Sequence, residues 1–515
     1  MLDIAKYAAA NHGDRPFLGT RPVIRIHPAE GALELYELGP YSWLSFVEVR
    51  DMMLQAGAGL RQLGLGKPAG AQAAADAPFI TMYAETSASW RLVSMGAASI
   101  SSPFSTAFST LDPDGVKHTI NLPGSIAVFT QADLLPKLVG ILKDTPTVKS
   151  VIYDGQADGR ALQAIRDIGL RPLSVDELLR LGRAYPAPPT PPTAEDLYAV
   201  QFTSGTSGLP KGVEVTHQMM VSGVAAIDRL LGDDHYVNAY EQSHCAFLPL
   251  AHVIEAMNAA NLWYQGVRSG FGRARTLMAT GVKNCEGDLA ELKPTTIGAV
   301  PLVWETIRKA VELQLSSASP VTRGLFNLSY FAKEHNIPLL AQAGDAVVLS
   351  KVRAFTGGRL DACLSGGAAL SASTNAWFKA TGIASIMNGW GLTETTGMGA
   401  ITHPSTWSAK GDGACLMACV EVKVRRAGET WFPAPLNADH SFPPLQLVDR
   451  PESGYRSTDA LPSGEILIRG PAVFRRYYKN PEATAEVFDK DGFFTTGDIG
   501  RFTAAGALEI VDRVK

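Results

Sequence analysis

The chain is short of cysteine, of excess charge and of uninterrupted apolar runs. Its 515 residues hold only five cysteines: Cys245, Cys285, Cys363, Cys415 and Cys419. That odd, scattered set argues against a disulfide scaffold and for a reducing compartment. Cys415 and Cys419 flank three residues, with no second Cys/His pair nearby, which argues against a zinc site. Lysine plus arginine number 46 and aspartate plus glutamate 50, a net charge of −4. Nucleic-acid binders need a basic face to neutralise phosphates, so that class is disfavoured, while phosphorylated small molecules stay open. The longest uncharged stretch, Leu92–Leu111, lies between Arg91 and Asp112 and carries six serines and Pro103. It reads as a buried helix, a turn and a loop rather than a span. Met1–Ala10 carries Asp3 and Lys6 and no apolar run, so it does not read as a secretory signal. There is no His-Glu-x-x-His helix, no Cys-x-x-Cys pair and no Gly-x-Ser-x-Gly elbow, since Gly205-Thr-Ser207-Gly208-Leu209 fails at its last position.

What is present is ordinary globular material. The chain is 46% hydrophobic and 19% charged, with 49 glycines and 32 prolines. That much apolar surface excludes disorder. At ~150 residues per domain, about three domain-sized units are expected. Apolar positions Val49, Met53, Leu60 and Leu63 recur at helical spacing, with Gly64 as a stop. The Gly64-Leu-Gly66 and Gly70 glycines have the wrong spacing for a dinucleotide fingerprint and read as a helix C-cap. A Pro-rich run, Ala184–Thr193, is extended and semi-rigid. It separates an N-terminal α/β region from the first chemical motif. Thr296–Val300 predicts a short strand. Pro301 then opens a helix whose apolar face is Trp304, Ile307, Val311 and Leu315. Near the end the period drops to two, at Val420, Val422 and Val424, then Ile466 and Ile468. A large α/β portion is therefore followed by a smaller β-rich one.

The strongest chemical signal is Tyr198-Ala-Val-Gln-Phe-Thr203-Ser204-Gly205-Thr206-Ser207-Gly208-Leu-Pro-Lys211-Gly212. A strand feeds a loop of Thr, Ser and Gly, closed by Pro210 and Lys211. Glycines let backbone N–H groups approach an anion, the hydroxyls donate, and Lys211 adds charge. This is phosphate-binding chemistry but not a Walker loop, because Pro210 stands where the second glycine belongs. Further on, Asn388-Gly389-Trp390-Gly391-Leu-Thr393-Glu394 puts a flat aromatic, a hydroxyl and a carboxylate on one loop. Glu394 is a hard oxygen ligand suited to Mg²⁺ held mainly by phosphates. The competing reading of that loop is a helix start with Thr393 as its N-cap.

Together these motifs resemble the adenylate-forming superfamily of acyl-CoA synthetases, peptide-synthetase adenylation domains and luciferases. The resemblance extends, in order, to Phe247-Leu-Pro-Leu-Ala-His252, Ser365-Gly-Gly367-Ala368-Ala369, Thr496-Gly-Asp498 and Asp512-Arg513-Val-Lys515. Arg275-Thr-Leu, Val282-Lys-Asn-Cys-Glu-Gly-Asp288 and Val303-Trp-Glu-Thr306 are similar to the long-chain fatty acyl-CoA synthetases, fungal branch included. The fold this implies is α/β, with a large N-terminal part of two α/β subdomains over residues 1–400. A β-rich, distorted-barrel subdomain would follow over 401–511, and a hinge would begin at 512–515. A small C-terminal lid bearing a lysine for adenylation is expected beyond Lys515, making this chain the N-terminal portion of the intact enzyme.

The resemblance also implies roles. Lys211, Thr393, Glu394 and His252 would be catalytic. Thr203 to Gly208, Lys211, Gly367, Ala368, Asn388 to Gly391, Thr393, Asp498 and Arg513 would hold ATP or AMP. Glu394 and Thr206 would meet Mg²⁺. Trp390 stands where long-chain members carry tyrosine, keeping the stacking face and losing a phenol hydroxyl. Phe247, Val253, Ala256, Met257, Leu262 and Trp263 would line an acyl tunnel, with Ala256 near the place of a tryptophan gate in some homologues. At ~0.8 kcal/mol per buried CH₂, a dozen methylenes supply roughly 10 kcal/mol before ordering costs. The implied reaction is ATP-dependent activation of a long-chain fatty acid to acyl-AMP and then acyl-CoA, with Mg²⁺ as cofactor and ATP and coenzyme A as co-substrates. The implied setting is intracellular, cytoplasmic or peripheral at a membrane or lipid droplet, with no transmembrane span. Two other classes remain open at this point: an adenylating module of an acid reductase or peptide-synthetase-like protein, and a non-catalytic ATP or fatty-acid binding protein.

Overall fold

Helix Phe46–Gln62 starts on a capping box. The Ser45 hydroxyl accepts from the Glu48 N–H at 3.2 Å, and the Glu48 carboxylate accepts from the Ser45 N–H at 2.8 Å. Its predicted apolar positions Val49, Met53 and Leu60 are buried, and Gly64 follows its end at φ 86°. The helix packs on helices Ala88–Ser99 and Val175–Ala184 through glycines. A Cβ at Gly57 would meet the Gly96 carbonyl at 2.9 Å, and one at Gly182 would land on the Gln55 carbonyl oxygen.

The computed structural model describes residues 1–28, 34–67, 77–203, 209–235, 241–335, 337–402, 414–426, 429–431, 463–503 and 506–513. They divide into two units. One takes Met1–Val224, Asp233–Asp288 and Phe474–Pro481; the other takes Ala225–Gly232, Leu289–Val473 and Glu482–Lys515.

The first unit is built on a seven-stranded sheet. Its order is Lys211–Thr216, Leu197–Thr203, Phe104–Ala107, Ile80–Tyr83, Ala127–Gln131, Ser150–Asp154 and Arg171–Ser174. All neighbours are parallel except the first pair. The Pro-rich run therefore does not bound a sheet: strands on both sides of it belong to the same one. Phe104–Ala107 corrects the expected loop. It is a central strand, wholly buried, whose serine and threonine hydroxyls disguise it. Ser105 Oγ donates to the Thr119 carbonyl at 3.0 Å and lies 2.9 Å from Thr81 Oγ1. A second sheet runs Ser243–Ala246, Arg268–Phe271, Pro16–Thr20 and Ser42–Ser45.

In the second unit the strands Gly298–Ala299, Ala362–Ser365 and Ser385–Trp390 are parallel. Antiparallel Ala400–Ile401 and Cys415–Leu416 extend that sheet. Pro301–Ser316 is the predicted helix, with Trp304, Ile307 and Val311 buried. A five-stranded antiparallel sheet runs Glu429–Trp431, Glu421–Arg426, Gly464–Arg469, Phe494–Phe502 and Leu508–Arg513. The predicted alternation appears directly, since Val422 pairs with Ile468 and Val424 with Ile466, all buried. Among the described residues this sheet is open rather than closed into a barrel. No helix among them is long and apolar enough to cross a membrane.

Candidate active site

In the first unit, Leu197–Thr203 and Lys211–Thr216 pair antiparallel, with Thr203 opposite Lys211. The Thr/Ser/Gly loop thus joins two strands of a hairpin. A Walker loop leads into a helix; this one does not, so anion binding would rest on backbone N–H groups, hydroxyls and Lys211 rather than on a helix dipole. Ser204, Gly205, Thr206, Ser207 and Gly208 lie outside the described residues. At the mouth, Thr203 Oγ1 donates to the Lys211 carbonyl at 3.5 Å. Gly212 is wedged against Val200, 2.7 Å from where its Cβ would be. The Lys211 side chain is exposed, and its ammonium sits 5.1 Å from the centre of the Tyr477 ring. Motif reading gave Tyr477 no place beside Lys211. Tyr477 arrives on Phe474–Pro481, where Tyr478 N–H donates to the Gly212 carbonyl at 2.7 Å.

His252 caps helix Val253–Gln265, its Nδ1 accepting from the Ile254 N–H at 3.2 Å. That bond needs an unprotonated Nδ1, and burial lowers the ring's pKa, so both favour the neutral imidazole. Phe247, Val253, Ala256, Met257, Leu262 and Trp263 are all buried. The structure brings the predicted acyl-wall residues together on this helix and the strand end before it. A cavity of about 360 Å³ elsewhere in this unit, lined by Met52, Leu92, Tyr153, Asp154 and Asp176 among others, contains none of the predicted residues.

The same helix carries a residue that sequence reading missed. Glu255 is 1% exposed, and its carboxyl oxygens meet no hydrogen-bond donor among the described residues. Buried Arg91 is its coulombic partner, and His244 Nε2 is 3.8 Å away. Burial raises the Glu255 pKa well above the carboxylate range and lowers that of Arg91. Arg91 also lies 5.0 Å over the Trp263 ring. A glutamate three residues after His252, on a helix with no other charged residue, was the available signal.

In the second unit, strand Ser385–Trp390 carries Asn388, Gly389 and Trp390 into a tight turn. Asn388 is fixed by a reciprocal pair: its N–H donates to Thr402 Oγ1 at 2.8 Å, and Thr402 N–H donates to its carbonyl at 3.0 Å. A Cβ on Gly391 would collide with the Gly397 backbone, so only glycine fits there. Thr393–Thr395 is one 3₁₀ turn preceded by Leu392, so Thr393 opens the turn and is not its N-cap. The turn is held by Thr395 Oγ1, which accepts from Leu392 N–H at 3.0 Å. Thr393 and Glu394 are both half-buried on it. Gly367 (φ 81°) and Ala368 are exposed beside Ser365 at the end of the neighbouring strand.

Asp498 is drawn to the same place. Its Oδ2 accepts from Trp390 Nε1–H at 2.9 Å, although 108 residues separate them. Arg513 Nε is 3.5 Å from Oδ1 on the adjacent strand, where Asp498 and Arg513 are register partners. Asp498 is 8% exposed and Arg513 is largely exposed. Trp390, Asp498 and Arg513 form one connected group: a flat ring, a carboxylate holding its edge, and a guanidinium fork. Such a group can stack a planar base and bind vicinal hydroxyls.

A phosphate-type hairpin loop and a base-and-hydroxyl group of this kind are the parts of a nucleotide-activating enzyme. The AMP-binding enzyme family matches residues 7–438, and the chain belongs to it. It is 34% identical over 536 residues to long-chain-fatty-acid–CoA ligase 2 of Schizosaccharomyces pombe, with all of this chain and 73% of that protein covered. It is 32% identical over 532 residues to a palmitoyl-CoA ligase of Gibberella moniliformis, with the same coverage. Among solved structures, the adenylation domain of a carboxylate reductase from Mycobacterium chelonae aligns with a TM-score of 0.73 and 21% identity, over 100% of this chain and 71% of that one. That likeness concerns the fold.

Proposed function

We propose that this chain carries the adenylating machinery of an AMP-forming long-chain fatty acid–CoA ligase. The observation that carries the reading is the Trp390–Asp498–Arg513 group in a chain that also has the Thr203–Lys211 hairpin mouth and the fatty-acid ligase relatives. The fatty carboxylate, ionised at pH 7, attacks the α-phosphorus of ATP and pyrophosphate leaves. The coenzyme A thiol then attacks the acyl carbon, releasing AMP and a proton. The first step needs no enzymic base, because the carboxylate is already ionised.

This reading gives each residue a role. Lys211 and the loop donors oppose the charge that builds on the phosphates as pyrophosphate departs. Lys211 reaches them from a hairpin mouth where Tyr477 limits the directions its stem can take. Thr393 donates to the α-phosphate. Trp390 stacks the adenine and Asp498 accepts from ribose; each carboxylate oxygen has two lone pairs, so the indole bond leaves capacity for hydroxyls. Arg513 reinforces that edge. Neutral His252 borders the carboxylate, and the Val253–Gln265 helix supplies apolar wall. Mg²⁺ suits the donor set. Among the described residues no three His, Cys, Asp or Glu side chains form a cage, and Mg²⁺ is typically held by one or two carboxylates plus substrate phosphates. Glu394 would be its protein ligand, with the Thr206 hydroxyl as a second. The metal would supply charge neutralisation between phosphate oxygens.

The site's chemistry suits an intracellular, membrane-peripheral setting where long-chain acids partition. The test is fatty-acid-dependent exchange of pyrophosphate into ATP in the intact protein, followed by coenzyme A consumption. Exchange and thioester formation together support a ligase. Exchange without coenzyme A use points to a carrier-type adenylating module, and nucleotide binding with neither overturns the catalytic reading.

A further inference from the structure

Helix Pro113–Asn121 carries no residue that motif reading marked. Asp112 caps it, accepting from the Gly115 N–H at 2.7 Å, and Pro113 is its first residue. Val116, Thr119 and Ile120 are fully buried, so the helix is a fixed support. His118 is half-buried on its shoulder. The His118 Nε2 lies 3.0 Å from the Pro210 carbonyl oxygen. A carbonyl can only accept, so Nε2 carries the hydrogen and donates. The same ring meets the Phe202 ring edge-on, with centroids 5.6 Å apart. Phe202 precedes Thr203 at one end of the phosphate loop, and Pro210 precedes Lys211 at the other. One imidazole therefore touches both legs of the hairpin.

The backbone that bears Lys211 is pinned at three successive residues. The carbonyls of Pro210, Lys211 and Gly212 accept from His118 Nε2, Thr203 Oγ1 and Tyr478 N–H. A return path closes the bracket. The Lys479 ammonium donates to the Leu122 carbonyl at 3.0 Å, at the end of the His118 helix. That carbonyl is one the helix cannot satisfy itself, and a cation there suits the helix dipole. Lys479 sits at a left-handed φ of 52°, a conformation that a lysine adopts only at a cost. Helix, hairpin and the Tyr477–Lys479 return thus form one closed circuit, all of it within the first unit.

We propose that His118 is a positioning residue for adenylation: by holding the Pro210 carbonyl, it fixes where the Lys211 ammonium meets the phosphates of ATP. The inference rests on the ligase reading and deepens it by adding a residue that touches neither substrate. A fixed cation stabilises developing charge without reorganising at the moment of reaction, and that advantage is lost when its backbone drifts. The charge develops only as pyrophosphate leaves, so the effect belongs to the transition state more than to the bound nucleotide.

The test is pyrophosphate exchange in the intact protein at varied ATP and varied fatty acid. His118→Leu keeps bulk against Phe202 and deletes the donor. It should lower kcat about 10- to 100-fold, as small misplacements of catalytic groups do, with ATP KM changed less than about threefold and fatty-acid KM unmoved. His118→Gln places an amide N–H where Nε2 was and should recover most of the rate. His118→Asn, whose amide falls at the place of Nδ1, should not recover it; this pair reads the same bond without an apolar substitution. In a Lys211→Ala background, His118→Leu should cost little more, because no ammonium is left to place. Equal losses in the Gln and Asn variants, a rise in ATP KM with kcat unchanged, or a full His118→Leu cost in the Lys211→Ala background would each overturn the proposal. A wild-type protein that exchanges no pyrophosphate would instead overturn the ligase reading, and this role with it.

Discussion

The hydrogen bond from Trp390 to Asp498 makes a sharp prediction. If the indole N–H holds the carboxylate where ribose needs it, the two residues must act as one. Trp390→Phe keeps an aromatic face and deletes the donor. A hydrogen bond to a charged group is worth about 1.5–3 kcal/mol. At 2.9 Å, with Asp498 nearly buried, this one should fall in that range, so KM for ATP should rise about 10- to 150-fold. Asp498→Ala should raise it further, because the ribose acceptor goes as well. The double variant should then cost little beyond Asp498→Ala alone, since once the carboxylate is gone the lost indole donor has nothing left to hold. Loss of stacking area from the smaller ring enters both legs of the cycle and cancels. The assay is pyrophosphate exchange at varied ATP, with fatty-acid KM as the internal control. If the two substitutions multiply independently, the coupling is absent and the geometry does not organise nucleotide binding. If fatty-acid KM moves more than ATP KM, Asp498 does not face ribose.

Other outcomes follow from the remaining geometry. Lys211→Ala in the intact enzyme should slow adenylate formation about tenfold or more through one lost charge-assisted contact; unchanged exchange kinetics would remove the hairpin mouth from the phosphate site. Glu394→Gln should shift adenylate formation to higher Mg²⁺ with acid binding little altered, and superimposable Mg²⁺ titrations would make Glu394 only a member of its 3₁₀ turn. His217 and His244 are buried with pKa values pulled down to about 3 by desolvation. Their unfolded values are higher, so the unfolded chain binds more protons between the two values and stability falls as pH drops below about 6.5, by roughly 1.4 kcal/mol per pH unit for each. Melting temperature followed from pH 7 to 5 should decline steeply, and the decline should be shallower in His244→Asn; a flat profile would contradict the burial. Gly182→Ala should destabilise by about 1–3 kcal/mol through overpacking against the Gln55 carbonyl, and thermal melting unchanged from wild type would show that the helices can part.

Elements with a clean period were legible in the sequence. Val49, Met53 and Leu60 mark one helix, Trp304, Ile307 and Val311 another, and Val422 and Val424 a strand facing Ile468 and Ile466. Phe104–Ala107 was not legible, because a strand buried on both faces has no amphipathic alternation and its hydroxyls read as loop. Motif reading identified Lys211, Trp390 and Asp498 singly. It could not show that Trp390 donates to Asp498 or that Tyr477 lies beside Lys211, since both depend on chain returns that leave no local pattern. Glu255 and Arg91 were lost for a related reason: the one charged residue of a helix looks like a surface residue until its burial is known.

The mixed parentage of the seven-stranded sheet has a consequence during synthesis. When the ribosome has made the chain only as far as the Pro-rich run, Phe104–Ala107 has Ile80–Tyr83 on one side and nothing on the other. Its backbone donors and acceptors along that flank stay open until Leu197–Thr203 emerges and pairs with it. At ~5–20 residues per second the interval lasts several seconds. An unpaired strand flank exposed that long is a template for other chains. The flank therefore stays open until the Leu197–Thr216 hairpin appears, and that hairpin closes it.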